Sequence, residues 1–449
     1  MRNSLFRSMA AMGIALSICT SAFAQSSGFD TARMDKSTDA CEDFFQYANG
    51  TWLKNTQIPP TESRWGTFNM LADSNNALLK DVLEKAAREK AKPGSNTQMI
   101  GDLYETCMNE AAIEKSGLEP LKPFLAQIDA LKTHDDVLKQ IARMHNSGLP
   151  AVFGFGAAAD AKDSNQLILS ASQGGTSLPN RDYYTKDDPK SVETRAKFVA
   201  YVTNMFKLLG DSPDAAAAHA ATVMDMQMRL AKAQLTPVER RNPDNSYNKI
   251  TMAAAQQLTP NFLWSEYMKE RGVPSMPDVN IAPTKFFTEM NTMMSDVPVD
   301  NWKAYLRFMA VNATATALPK AFADENFDFF GRYLSGQKER QPRWKTCVQT
   351  VDGMLGEALG MEYAKLAFTP AAKARMNELI DNLMASMKDR IEGLKWMSPE
   401  TKKQAATKLS TPSDTSSKRI SASDQIAHAV GYESPEGFRR AVQREYGIS

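Results

Sequence analysis

The 449 residues offer about three domains' worth of chain, and 43% hydrophobic with 23% charged residues supplies a sizeable core, which excludes wholesale disorder. The 53 lysines and arginines nearly cancel 52 aspartates and glutamates, leaving +1, so no global field draws the chain to nucleic acid or an anionic membrane. With 23 glycines and 22 prolines, a collagen-like or linker-dominated chain is excluded as well.

In chain order, Arg2 and Arg7 precede an apolar run over Met9–Ile18, and Ala22-Phe23-Ala24 gives a small-x-small pattern. Residues 1–24 are therefore expected to be a signal peptide cut before Gln25, which places the mature chain in the periplasm or outside the cell. Two alternatives are weaker: the run falls short of the roughly 20 residues of a spanning helix, and lipid attachment at Cys19 meets the bulky Ile18. No later segment is apolar enough to span a bilayer. The remaining cysteines are Cys41, Cys107 and Cys347. Three is odd, so at least one lacks an intramolecular partner, and without a CxxC pair no structural zinc site is expected.

Most of the mature chain has helical periodicity. Residues 68–91 place Met70, Leu71, Leu78, Leu79, Val82 and Leu83 at helical spacing, and similar patterns cover roughly 97–114, 118–131, 135–147, 190–210, 213–234, 300–311 and 342–368. Over 371–394, Met376, Leu379, Ile380, Leu383, Met387, Ile391 and Leu394 form one stripe, and Pro399 marks the next helix start. The methionines on such stripes read as core filler. One island predicts a β-hairpin: 151–156 and 166–170, flanking a polar loop. Its Gly154–Ala159 matches G-x-G-x-x-A, but a polar turn and a second strand follow where a dinucleotide site needs a helix, so no nucleotide cofactor is expected.

Of the four histidines, His134, His145, His219 and His428, none lies in H-E-x-x-H or H-x-x-E-H, and no G-x-S-x-G elbow occurs. Surface or structural roles are expected for all four, and neither a catalytic residue nor a metal ligand is assigned.

The stretch Asp39-Ala40-Cys41-Glu42-Asp43-Phe44-Phe45-Gln46-Tyr47-Ala48-Asn49-Gly50-Thr51-Trp52-Leu53, continued by Ile58-Pro59-Pro60 and Ser63-Arg64-Trp65-Gly66-Thr67-Phe68, resembles the opening signature of the neprilysin-type zinc metallopeptidases. So do Ser177-Leu178-Pro179-Asn180-Arg181-Asp182-Tyr183-Tyr184, Ala321 to Gly331, and Pro342-Arg343-Trp344-Lys345-Thr346-Cys347 with the segment to Gly360. The resemblance covers about 33 to 409. It implies a mainly α fold, a large multi-helix lobe with a small β-hairpin, that in the family closes over a thermolysin-like catalytic lobe. The zinc helix, the third-ligand motif and the substrate-backbone motif lie in that second lobe and have no counterpart in this sequence. The resemblance thus implies a metalloendopeptidase of oligopeptides, truncated before its zinc site and inactive alone. No complete catalytic lobe and no cofactor are expected in this chain, zinc belonging to complete family members.

Within what remains, Arg64 matches the arginine that receives the free carboxylate of a peptide substrate; Asn69 stands where the best-known member has an aspartate. The resemblance also pairs Cys107 with Cys347, and leaves Cys41 without the partner it has near the family's C-terminus. Residues 25–66 are expected to be a segment that packs on the catalytic lobe, and 67–409 the helical peptidase domain. That lobe, if supplied by another chain, would be a partner.

From 410 to 423 the composition predicts a linker. Residues 424–449, from Asp424-Gln425-Ile426-Ala427-His428 through Gly431 to Phe438-Arg439-Arg440-Ala441, resemble the second helix-turn-helix of arabinose-regulator-type transcription factors. DNA contact would fall to Glu436, Arg439 and Arg440. Against it, Lys418–Ser449 carries five basic and four acidic residues, a weak phosphate footprint. An exported chain would not meet a chromosome, so nucleic acid is not the expected partner. The alternatives to a truncated peptidase are therefore a non-catalytic peptide-binding lobe and, behind it, a DNA-binding regulator acting through this tail.

Overall fold

The computed structural model describes residues 30–417 except 275. The expected signal peptide, 1–24, and the helix-turn-helix-like fragment, 424–449, lie outside the described residues. The chain divides into two compact units between Pro59 and Pro60, and each is described by itself.

In the first unit Asp43 caps α1 (Phe44–Asn55), its carboxylate accepting from the Gln46 amide. Thr51 Oγ1 donates to the Met34 carbonyl at 2.7 Å, tying the helix to the preceding turn. Gly50 makes the approach feasible: a Cβ there would stand 2.7 Å from that of Asp35. Phe44 and Phe45 are largely exposed, and Cys41 is an exposed free thiol.

The second unit opens with α2 (Thr67–Arg88) and α3 (Asn96–Met108), the latter capped by Ser95. The single helix expected over 97–114 is two, because Asn109 ends α3 and its side chain caps α4 (Glu110–Ser116) by accepting from the Ala112 amide. Next come α5 (Lys122–Asp129) and α6 (His134–Asn146), which starts on a full capping box between Thr133 and Asp136. The hairpin of β1 (Phe153–Asp160) and β2 (Asp163–Gln173) is antiparallel, with Phe153 opposite Gln173. The G-x-G-x-x-A stretch is thus strand.

After the hairpin the order is α7 (Asp182–Thr185), α8 (Pro189–Leu208), α9 (Pro213–Ala233), β3 (Lys249–Thr251), α10 (Met252–Leu258), α11 (Trp264–Arg271), β4 (Asp278–Ala282), α12 (Thr284–Asp296), α13 (Val299–Thr314) and α14 (Lys320–Asn326). Asp188 and Ser212 cap α8 and α9, each followed by a proline at the first helical position. The sheet is larger than the expected hairpin. Its order is β1-β2-β4-β3, with β4 parallel to β2 and β3 antiparallel to β4. A π-helical stretch, Phe327–Leu334, leads to α15 (Arg343–Ala367), α16 (Pro370–Gly393) and α17 (Pro399–Ser417). The last helix runs on to Ser417, through the first part of the segment 410–423 whose composition reads as a linker.

Two apolar cores hold this unit. The larger surrounds α13, which packs on α5, α6, α8 and α9. Its Tyr305 hydroxyl donates to the Gly175 carbonyl at 2.8 Å, closing the strand layer onto the helices. The smaller joins α2, α3 and α15 through Val82, Leu83, Ile100, Tyr104, Val348, Val351 and Leu359, with Cys107 bonded to Cys347 at its edge. A Cβ at Gly101 would lie 2.7 Å from the Ala86 backbone, so only glycine permits this α2–α3 contact.

The α16 stripe is not core. Met376, Leu379, Ile380, Leu383 and Met387 are 46–60% exposed, and Ile391 alone on that helix is buried. Periodicity marks an apolar face; it does not say that the same fold covers it.

Candidate functional site

The three described histidines are each engaged separately. His134 Nε2 donates to the Val297 carbonyl at 2.9 Å, and His219 Nδ1 meets Asp211 Oδ2 at 2.7 Å. His145 Nδ1 lies 2.7 Å from the Tyr267 hydroxyl, among Phe153 and Tyr267 rings. Burial, with the Arg271 guanidinium nearby, pushes the His145 imidazole down to about 4. Unfolded, the ring takes its proton near 6.5, so between these values the unfolded chain binds more protons, and this stabilisation is lost as pH falls from 6.5 toward 4. Comparing denaturant unfolding of the wild type and His145→Asn should show the stability gap closing by about 2–3 kcal/mol between pH 7.5 and 4.5. A gap independent of pH would rule out a neutral buried imidazole.

The motif at 177–184 is structural. The Tyr184 hydroxyl accepts from the Ser177 and Leu178 amides at 3.0 and 2.9 Å and donates to Gln227 Oε1 at 2.6 Å. Burial pushes this phenol far above its usual range. Its Arg181 donates to the Gln234 carbonyl at 2.8 Å. A surface depression of about 590 Å³ between α9 and α12 contains Arg229, Lys232 and Lys285. Arg229 is held there by Glu289 and Asp296 at 2.8–3.0 Å, so its charge is satisfied within the fold.

Arg64 differs from these. It is exposed, in the turn leading to α2, and its guanidinium makes no hydrogen bond or ion pair among the described residues. Gly66 follows as the α2 N-cap and supplies no side-chain cap. An unpaired planar cation beside the positive end of a 22-residue helix suits a carboxylate. Asn69, half-buried in the first turn of α2, is neutral and makes no hydrogen bond to Arg64.

The turn itself is heavily tethered. The Pro60 carbonyl accepts from the Lys338 and Glu339 amides at 2.9 and 3.0 Å, and the Thr61 carbonyl from Gln337 Nε2 at 3.0 Å. Glu62 Oε1 accepts from Gln341 Nε2 and Lys345 Nζ, both at 3.0 Å. Lys345 also pairs closely with Asp73. It is 7% exposed. Burial pulls its ammonium down, but Asp73 and Glu62 outweigh that, and the net direction is up.

Among the described residues no group of three or more His, Cys, Asp or Glu side chains comes together to hold a metal ion. The described residues do not fit a zinc ion, and no chemical step is derived through one. Nor, among them, is any helix long and apolar enough to cross a membrane. Glu436, Arg439 and Arg440 lie outside the described residues.

A two-core helical lobe with a four-stranded sheet has clear relatives. The sequence profile for the N-terminal part of peptidase family M13 matches residues 40–413, and the chain belongs to that family. Endothelin-converting enzyme 1 of Mus musculus is 30% identical over 390 residues, 84% of this chain and 50% of the relative. Neprilysin-3 of Drosophila melanogaster is 25% identical over 407 residues, 85% and 51% of the two chains. Among solved structures, the zinc metalloprotease Zmp1 of Mycobacterium tuberculosis, in complex with an inhibitor, superposes with a TM-score of 0.79 at 29% identity, covering 85% of this chain and 58% of that one. The chain spans about half the length of the curated relatives it matches.

Proposed function

We propose that this polypeptide is the peptide-enclosing helical lobe of an exported neprilysin-type zinc metalloendopeptidase, that it binds oligopeptides through their C-terminal carboxylate at Arg64, and that it does not cleave them by itself. The observation that carries this reading is the exposed, unpaired Arg64 guanidinium within a motif of the matched family. The exposed apolar face of α16 supports a further lobe as its cover, in the same chain or supplied by another. In this arrangement zinc, and the water it activates, belong to that other lobe.

An exposed ion pair is worth about 0–1 kcal/mol, so a free-acid peptide should bind up to roughly fivefold more tightly than its C-terminal amide, and less so at high salt. Fluorescence anisotropy with a labelled peptide in both forms measures this ratio, and Arg64→Met should bring it to one. The same polypeptide, residues 1–449, should leave the peptide intact in the presence of zinc, because its sequence has no H-E-x-x-H and its described residues gather no ligand set to polarise a scissile carbonyl. Chelator-sensitive cleavage by the purified polypeptide, or an acid-to-amide ratio that ignores Arg64, would reject the proposal.

A further inference from the structure

The tethering around Arg64 has an uneven design. Most of its bonds reach the turn from one side, through backbone and amide groups of 337–341. Lys345 reaches both arms: Glu62, two residues before Arg64, and Asp73, in the second turn of the helix that follows. This lysine sits in the first turn of α15, where a cation opposes the helix dipole, so helix stability does not account for its presence. A buried ammonium is also costly unless paired, and here both partners come from the segment that carries Arg64.

We infer that Lys345 is a positioning residue for the peptide-carboxylate site: by bridging Glu62 and Asp73 it fixes the turn between them and so the direction in which Arg64 presents its guanidinium. This rests on the carboxylate-binding reading of Arg64. A freely swinging arginine would still attract an anion, but with little preference for one placement of a peptide end. With the turn preorganised, the two parallel donors of its fork can meet a carboxylate at a lower ordering cost. The disulfide two residues on, at Cys347, anchors the same helical turn to α3 and gives the lysine a fixed base.

The test uses the full chain and two readouts. The first is the acid-to-amide ratio of peptide affinity. The second is the rate of tryptic cleavage after Arg64, which follows local opening of the turn and requires no ligand. Glu62→Gln, a near-isosteric change, and Lys345→Met should each lower the affinity ratio toward one, while Arg64 keeps some attraction for the acid, and raise cleavage after Arg64 about tenfold or more, as the loss of charged hydrogen bonds implies. Lys345→Arg should retain most of both wild-type values. Thermal unfolding of Glu62→Gln separates local from global effects, and that variant keeps the proposal open to refutation if Lys345→Met fails to fold. Unchanged cleavage, or raised cleavage with the affinity ratio intact, would overturn the positioning role. If instead the wild type shows no acid preference, the reading of Arg64 has failed, and the cleavage rates alone decide whether Lys345 holds the turn.

Discussion

Phe153→Ala should lower the stability of the second unit by about 3–5 kcal/mol, the range for removing a large aromatic from a close-packed core. Phe153 is 3% exposed at the start of β1. Its ring lies 5.1–5.8 Å from those of His145, Phe262, Trp264, Tyr267 and Phe287, which come from three other parts of the chain and cannot all collapse into one void. Urea unfolding followed by tryptophan fluorescence should show a lower midpoint with little change in slope. Leu383→Ala is the matched control. That side chain is 60% exposed on α16, so its loss should stay within about 0.5 kcal/mol. A loss at Leu383 comparable with that at Phe153 would show that the α16 face is buried in solution.

Replacing both Cys107 and Cys347 by alanine should cost about 2–5 kcal/mol. The bond closes 240 residues of sequence at the edge of the small core that joins α2 and α3 to α15. Closure entropy grows only slowly with length, so this long loop earns little more than one of 100 residues. The loss should also be uneven. Hydrogen exchange in α2, α3 and the first half of α15 should accelerate more than in α13, which lies in the other core. Uniform acceleration would mean that the two cores open as one.

The helices over 135–147, 190–210 and 213–234 were legible because their apolar periodicity is written locally, while their caps at Thr133, Asp188 and Ser212 emerge from the structure. The hairpin was legible for the same reason. β3 and β4 were not, since three and five residues carry too little alternation to stand out, and β4 is defined by a partner, β2, about 110 residues earlier. The α16 stripe misled because amphipathicity specifies a face and leaves its cover unspecified. Arg64 stood out only through resemblance to a family; composition and spacing make it one arginine among many. Lys345 lies in a motif of the same resemblance, but its role was not legible there, because its chemistry depends on carboxylates 283 and 272 residues distant.

The spacing of the cysteines also fixes an order in time. At about 5–20 residues per second, the 240 residues between Cys107 and Cys347 take roughly 12–48 s to synthesise. Through that interval Cys107 has no native companion, while Cys41 already exists. Wherever the chain is made under oxidising conditions, the premature 41–107 link has a head start over the native one. Where that link forms, the native bond requires an exchange, with the late Cys347 thiolate attacking Cys107 and releasing Cys41. On that route the exposed thiol of Cys41 would be the leaving group, which gives this surface cysteine a part in oxidative folding that the finished fold does not display.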